Sequence, residues 1–150
     1  MSSHLSPWAA VVMVLVTVGL IWINRNRDAR TILRDQFGAS GAPDGLPIEC
    51  EVRFPLANGS TPCVAHAGEV GLYLFTPPEM VPKWRWVNNI HFLKQPVFIP
   101  WSQLDYRCAS FPAGDWLRFD IRDTKATFFV RRTVALELLR LAGRPPPTSV

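Results

Sequence analysis

Two hydrophobic patterns divide the chain. Residues 8–23 read WAAVVMVLVTVGLIWI without one charge, and all 16 Lys+Arg and all 12 Asp+Glu residues come after them. From residue 48 onward apolar and polar positions alternate with a period of two, which is typical of half-buried β-strands. The pattern therefore predicts an apolar N-terminal helix followed by a β domain.

The apolar segment has the length expected of a membrane-spanning helix. Residues 5–23 would extend roughly 28 Å at 1.5 Å per residue, close to the thickness of about 30 Å of a hydrocarbon core. Indole rings near both ends favour the headgroup level. A cleavable signal peptide fits less well, since no Lys or Arg precedes the segment and Asn24-Arg25-Asn26 follows it. The predicted span includes Trp8, Val14, Gly19, Trp22 and Ile23.

Basic residues after the span predict its orientation. Arg25, Arg27, Arg30 and Arg34 follow it, whereas no Lys or Arg precedes it. The positive-inside rule then places the N-terminus outside and the C-terminal domain in the cytoplasm. We expect a single-pass protein of the inner (plasma) membrane.

The positions of Gly and Pro residues predict the boundaries of the domains. Residues 1–37 form the transmembrane helix and its extension, and Gly38 ends it. Residues 38–47 read GASGAPDGLP, a flexible linker by composition. Residues 48–143 form the β domain, and residues 144–150 a disordered tail. Strands are expected at residues 48–54, 62–66, 70–75, 90–92, 97–101, 104–108, 117–121 and 126–131.

A C-terminal amphipathic helix completes the predicted fold. Thr133 is a plausible N-cap, and residues 134, 138, 139, 141 and 142 form an apolar face. Gly143 and the Pro run at residues 145–147 end it. The predicted fold class is mainly β, about seven antiparallel strands followed by one helix.

Three segments resemble the pleckstrin-homology (PH) superfamily. Residues 68–74, GEVGLYL, are similar to a G-x-L-x-L strand of PH-like and GRAM-like domains, and residues 98–104, FIPWSQL, to an I-P-W-x-x-I segment of bacterial PH-like domains. Residues 117–141 resemble the closing hairpin and helix. The resemblance implies a small curved barrel in a bacterial membrane protein, acting as a binding or scaffolding module. An OB-like barrel is the alternative.

The charge and the composition of the chain argue against several classes of function. A net charge of +4 and a pI of 9.3 come from scattered basic residues, so nucleic-acid binding is not expected. Cys50 and Cys63 with His66 could supply metal ligands, but the spacing lacks the paired arrangement of zinc sites. No Gly-x-Ser-x-Gly elbow or Gly-rich phosphate loop occurs. We therefore expect no catalytic residues, no metal, no cofactor and no enzymatic activity.

The most suggestive surface residues are basic and aromatic. Lys83, Trp84, Arg85 and Trp86 stand together, with Lys94 nearby. Such a mixture suits an anionic bilayer surface or a protein partner, although packing of the Trp rings on the sheet would also explain it. We predict contact with a partner or with lipid here.

The sequence thus favours a membrane-anchored, non-catalytic binding or scaffolding module. The alternative is a structural accessory subunit, held in a larger membrane complex by its transmembrane helix. In either case the expected partners are the lipid bilayer, through the N-terminal helix, and an unidentified membrane protein.

Overall fold

A computed structural model describes residues 7–40, 46–55, 59–81, 93, 95–110 and 114–148; within the first helix the side chains of residues 7, 22–28, 30 and 31 are excluded. The strand predicted at residues 90–92 and the predicted contact residues Lys83, Trp84, Arg85, Trp86 and Lys94 lie outside the described residues.

Two helices and seven strands form the described fold. The helices are α1 (Pro7–Phe37) and α2 (Arg132–Leu141). The strands are β1 (Ile48–Arg53), β2 (Thr61–Ala67), β3 (Gly71–Phe75), β4 (Val97–Pro100), β5 (Leu104–Ala109), β6 (Trp116–Ile121) and β7 (Thr127–Arg131). A mainly β domain with a C-terminal helix is therefore confirmed.

The strands form one curled antiparallel sheet, in the order β4-β3-β2-β1-β7-β6-β5. The first and last strands in the sequence therefore pair in the middle of the sheet, where Val52 opposes Val130. The concave, inner face carries the core. Leu117, Phe119 and Ile121 all point into it, as their alternation predicts.

Helix α2 covers the core at the C-terminal end of the chain. It buries Ala135, Leu138 and Leu139, and Ala142 at its C-cap is also buried, whereas Leu141, placed on the apolar face by the sequence, is 40% exposed. The predicted N-cap is also wrong. The cap position is Arg131 and makes no side-chain capping bond, because β7 runs directly into the helix and no intervening turn places Thr133 at the helix start.

The C-terminal part of α1 belongs to the core. Leu33 is 1% exposed, and Ala29, Ile32 and Phe37 pack beside the core. The helix ends at Phe37, immediately before Gly38, as predicted. A Cβ atom at Gly38 would lie 2.6 Å from the Arg34 carbonyl oxygen, so glycine is required there. Gly38 then pairs with Val97 on the outer edge of β4.

The predicted transmembrane helix is not supported. Among the described residues no helix is long and apolar enough to cross a membrane. The uncharged run of α1 whose side chains are described, residues 8–21, extends roughly 21 Å, against about 30 Å of hydrocarbon. The single-pass assignment for Trp8, Val14, Gly19, Trp22 and Ile23 and the inner-membrane location are therefore corrected.

The topology assignment drawn from the arginines is withdrawn with the span. Arg34 is exposed and pairs with its neighbour Asp35 at 3.1 Å. The side chains of Arg25, Arg27 and Arg30 lie outside the described part of α1. An N-terminus outside and a cytoplasmic domain rested on a span that the structure does not contain among its described residues.

Candidate binding surfaces

An apolar segment of α1 is exposed to solvent. Ten large hydrophobic side chains between residues 8 and 21 are 49–77% exposed, and they occur around the whole circumference of the helix. A helix that is apolar on all sides is normally buried. The exposed residues are Trp8, Val11, Val12, Met13, Val14, Leu15, Val16, Val18, Leu20 and Ile21.

The same helix is held firmly at its other end. Leu33 lies in the core, and the backbone N–H of Ala39 donates to the Pro96 carbonyl at 2.8 Å. α1 thus presents its exposed segment from a fixed attachment to the β domain.

The second surface is a cleft on the outer, convex face of β2, β3 and β4. Cross-strand register places His66 opposite Tyr73 and Tyr73 opposite Phe98, so the three rings form one row. We call these three residues the aromatic row. The cleft has a volume of about 360 Å³ between the aromatic row and the β2–β3 turn, residues 68–71.

Alternation along β2 explains why His66 faces this cleft. Cys63 and Ala65 point into the core, so Val64 and His66 point outward. His66 is nevertheless only 8% exposed, because the Phe75 ring stacks against it at 6.1 Å and the row continues on β3. Its Nδ1 atom is buried and has no hydrogen-bond partner among the described residues.

Cys50 and Cys63 lie side by side on the core face of β1 and β2. Cys50 opposes Cys63 in the register; both side chains are buried, and neither forms a disulfide. Burial, the neighbouring Cys63 and the Glu51 carboxylate raise the pKa of the Cys50 thiol to about 12. Cys63 Sγ instead contacts the Thr76 hydroxyl at 3.6 Å. Within the described residues no cluster of three metal-ligating side chains occurs.

On the other half of the sheet, the carboxylates of Asp105 and Asp120 form ion pairs with arginines. Asp120 accepts hydrogen bonds from Arg118 Nε and Thr127 Oγ1, each at 2.7 Å, and lies 3.3 Å from Arg107. Asp105 accepts from Arg122 at 2.6 Å, and this bond holds the pKa of the Asp105 carboxyl below its usual value. These carboxylates serve as partners of arginines.

Sequence reasoning identified the apolar segment of α1 but took it as a membrane span, and it missed the cleft. The strand predicted at residues 70–75 begins one residue later, and Val70 is 72% exposed at the lip of the cleft. The available signal was the alternation of His66 with Ala65 and of Tyr73 with Leu72 and Leu74. This alternation places the rings of His66 and Tyr73 on the same face of the adjacent strands β2 and β3.

Comparison with models of protein families, with curated proteins and with solved structures found no match. The resemblance to PH-like domains is therefore not supported. The short segments that suggested it, at residues 68–74 and 98–104, occur here as a strand with its preceding turn and as an edge strand entering a 3₁₀ turn. Such glycine, proline and aliphatic patterns arise from β-structure itself and do not identify a family.

Proposed function

We propose that this protein is a non-catalytic binding and scaffolding module that attaches to a protein partner through the exposed apolar residues of α1. The observation that carries the proposal is one continuous helix, Pro7–Phe37, with Leu33 in the core and large apolar side chains exposed between residues 8 and 21. Contiguous exposed apolar surface of this kind marks interaction sites.

The described ionisable groups support a binding role. A thiol whose pKa is raised to about 12 is a weak nucleophile near neutral pH, since the thiolate is the reactive form. Asp105 is bound by Arg122, which lowers the pKa of its carboxyl and favours the ionised form, and Asp120 is held in an ion pair with Arg118. A binding module requires none of these groups to react.

A structural accessory subunit of a larger complex is the second candidate. It is favoured by the distribution of the exposed side chains, because a single flat partner surface would cover only one side of α1. A site between several helices of an assembly would cover all sides. Gly19 would allow close approach of a partner helix, as small residues do.

Site-specific photo-crosslinking in cells tests attachment through α1. We would place a photoreactive side chain at Val12 or Leu20, and at Ser102, an exposed position on the β domain, as the control. We expect a discrete protein adduct from both α1 positions and none from Ser102. Adducts with lipid alone would contradict a protein partner and would indicate contact with a bilayer surface.

Substitution of Gly19 provides the matched specificity test. A Cβ at Gly19 would meet no atom within 4 Å, so Gly19→Leu leaves the fold of the chain undisturbed. If partner helices approach closely, the adduct from Val12 disappears in Gly19→Leu while the urea unfolding midpoint stays the same. An adduct that persists unchanged contradicts close helix packing at Gly19 and with it the accessory-subunit candidate.

A further inference from the structure

The outer cleft is held in shape before any ligand binds. Trp101 is 5% exposed; its indole Nε1 donates to the Gly68 carbonyl at 2.7 Å and its backbone N–H donates to the Val70 carbonyl at 3.0 Å. A third bond, from Gly68 N–H to the Gly71 carbonyl at 3.0 Å, closes the turn. Because the turn is fixed on both sides, binding here would cost little ordering of the protein.

Aromatic surface forms one side of the cleft. Phe98 packs over Gly71, where a Cβ atom would lie 2.6 Å from the Phe98 ring. The Tyr73 and Phe98 ring centroids are 4.5 Å apart, with the planes tilted by 41°. Ring faces carry negative partial charge, which attracts cations placed above them.

The cleft also carries one acidic side chain and one buried polar atom that has no hydrogen-bond partner among the described residues. Glu69 is exposed in the turn, and it is the one acidic side chain among the described residues that line the cleft. The unpartnered Nδ1 of His66 adds hydrogen-bonding capacity that the described residues do not use. Val70, 72% exposed at the lip, offers apolar surface. A ligand with a flat cationic group and an aliphatic stem fits the acidic side chain, the hydrogen-bonding capacity and the apolar surface of this cleft.

We propose that the outer cleft binds an arginine side chain of a partner polypeptide. The guanidinium is planar, stacks on aromatic faces and carries five N–H donors. It would lie over the Tyr73 ring and donate to the Glu69 carboxylate, while its methylene stem packs on Val70. This site is independent of α1 and would give the domain a second point of attachment.

A peptide titration followed by NMR on the full chain tests this site. The probes are acetyl-Gly-Gly-Arg-Gly-Gly-amide and the same peptide with citrulline, which has nearly the shape of arginine but no charge. We expect the arginine peptide to shift the resonances of residues 66–73 and 98, and the citrulline peptide to shift them at least threefold less at equal concentration. Equal shifts from both peptides, or shifts that map elsewhere, would overturn the proposal.

Two variants connect the binding to named groups. Glu69→Gln should weaken binding of the arginine peptide by up to about fivefold, the effect of an exposed ion pair. Tyr73→Leu should weaken it by about two- to fivefold, the effect of an exposed cation–π contact. Glu79→Gln, at an exposed glutamate that does not line the cleft, is the matched control and should bind as the unmodified chain does.

The same spectra show whether each variant remains folded. If Tyr73→Leu loses its dispersed spectrum, Glu69→Gln decides alone, because an exposed turn carboxylate makes no core contact. Equal binding by Glu69→Gln and Glu79→Gln would exclude the carboxylate as a cation partner and overturn the assignment of a basic ligand.

Discussion

At the scale of single residues, two glycines of the β2–β3 turn differ in whether they can be replaced by a larger residue. Gly71 supports the Phe98 ring from below, and a Cβ there would also lie 2.5 Å from the Ile99 carbonyl oxygen. That oxygen belongs to the backbone of β4 and cannot move without disturbing the pairing of β3 with β4. Gly68, three residues earlier, has open space at the same position.

Gly71→Ala should therefore destabilise the protein by about 1–3 kcal/mol, the usual cost of overpacking. Gly68→Ala should change the free energy of unfolding by less than about 0.5 kcal/mol, as a surface substitution does. Urea unfolding monitored by Trp fluorescence measures both. Equal effects of the two substitutions would contradict the close packing of Phe98 on Gly71.

The Cys50 thiol couples stability to alkaline pH. Its pKa is raised from 9.0 to about 12 by burial, by Cys63 and by Glu51. Because the folded state keeps the proton and the unfolded state releases it above about pH 9, stability is fully present below that value. It is lost as pH rises towards 12, by up to about 1.4 kcal/mol per pH unit.

The variant Cys50→Val, which cannot ionise, isolates this contribution. The free energy of unfolding of the unmodified chain, relative to Cys50→Val, should decrease between about pH 8 and about pH 10.5. Chemical unfolding at both pH values, with reductant present, gives the comparison. A difference that stays constant with pH would show that Cys50 ionises equally in both states.

At the scale of elements, α1 has two regions with different roles. Leu33 is fully buried although charged residues surround it in the sequence, so no local pattern identified it as a core residue. Its burial depends on the pairing of Gly38 with Val97, a contact between distant residues. The C-terminal end of the helix could be predicted because Gly38 is a local signal.

Leu33→Ala should destabilise the protein by about 2–5 kcal/mol, as large-to-small core substitutions do. Leu20→Ala, at a position that is 61% exposed on the same helix, is the matched control and should have little effect. Thermal unfolding monitored by the circular dichroism of the β domain distinguishes the two. A negligible effect of Leu33→Ala would show that α1 does not contribute to the core.

At the scale of the whole molecule, much of the fold could be predicted from alternation. Period-two patterns together with turn residues predicted all seven described strands, alternation identified the inward residues of β6, and the apolar 3.6-residue pattern located α2. The β2–β4 cleft could not be predicted, since its shape depends on the register that aligns His66, Tyr73 and Phe98. The hydropathy of residues 8–21 shows that they are apolar. It does not specify which surface outside the chain covers them.

Exposure of residues 8–21 also predicts that association and folding can be separated. The double variant Val12→Gln, Leu20→Gln changes two side chains that are 56% and 61% exposed. We expect it to lower binding of a hydrophobic dye and sedimentation as higher-mass species, while the urea midpoint of the β domain stays the same. A lowered midpoint would indicate that these side chains stabilise the fold of the chain itself.

The continuity of α1 sets both distance and direction. From Leu33 to Val12 the helix spans roughly 32 Å, and each residue turns the helix by about 100°. A partner bound at the N-terminal end of α1 is therefore held at a fixed distance from the β domain and in a fixed direction around the helix axis. Adding one alanine, a good helix former, near residue 25 would keep the helix continuous yet rotate the exposed segment by over a quarter turn relative to the cleft. Any function that engages both surfaces at once would then depend on helical phase.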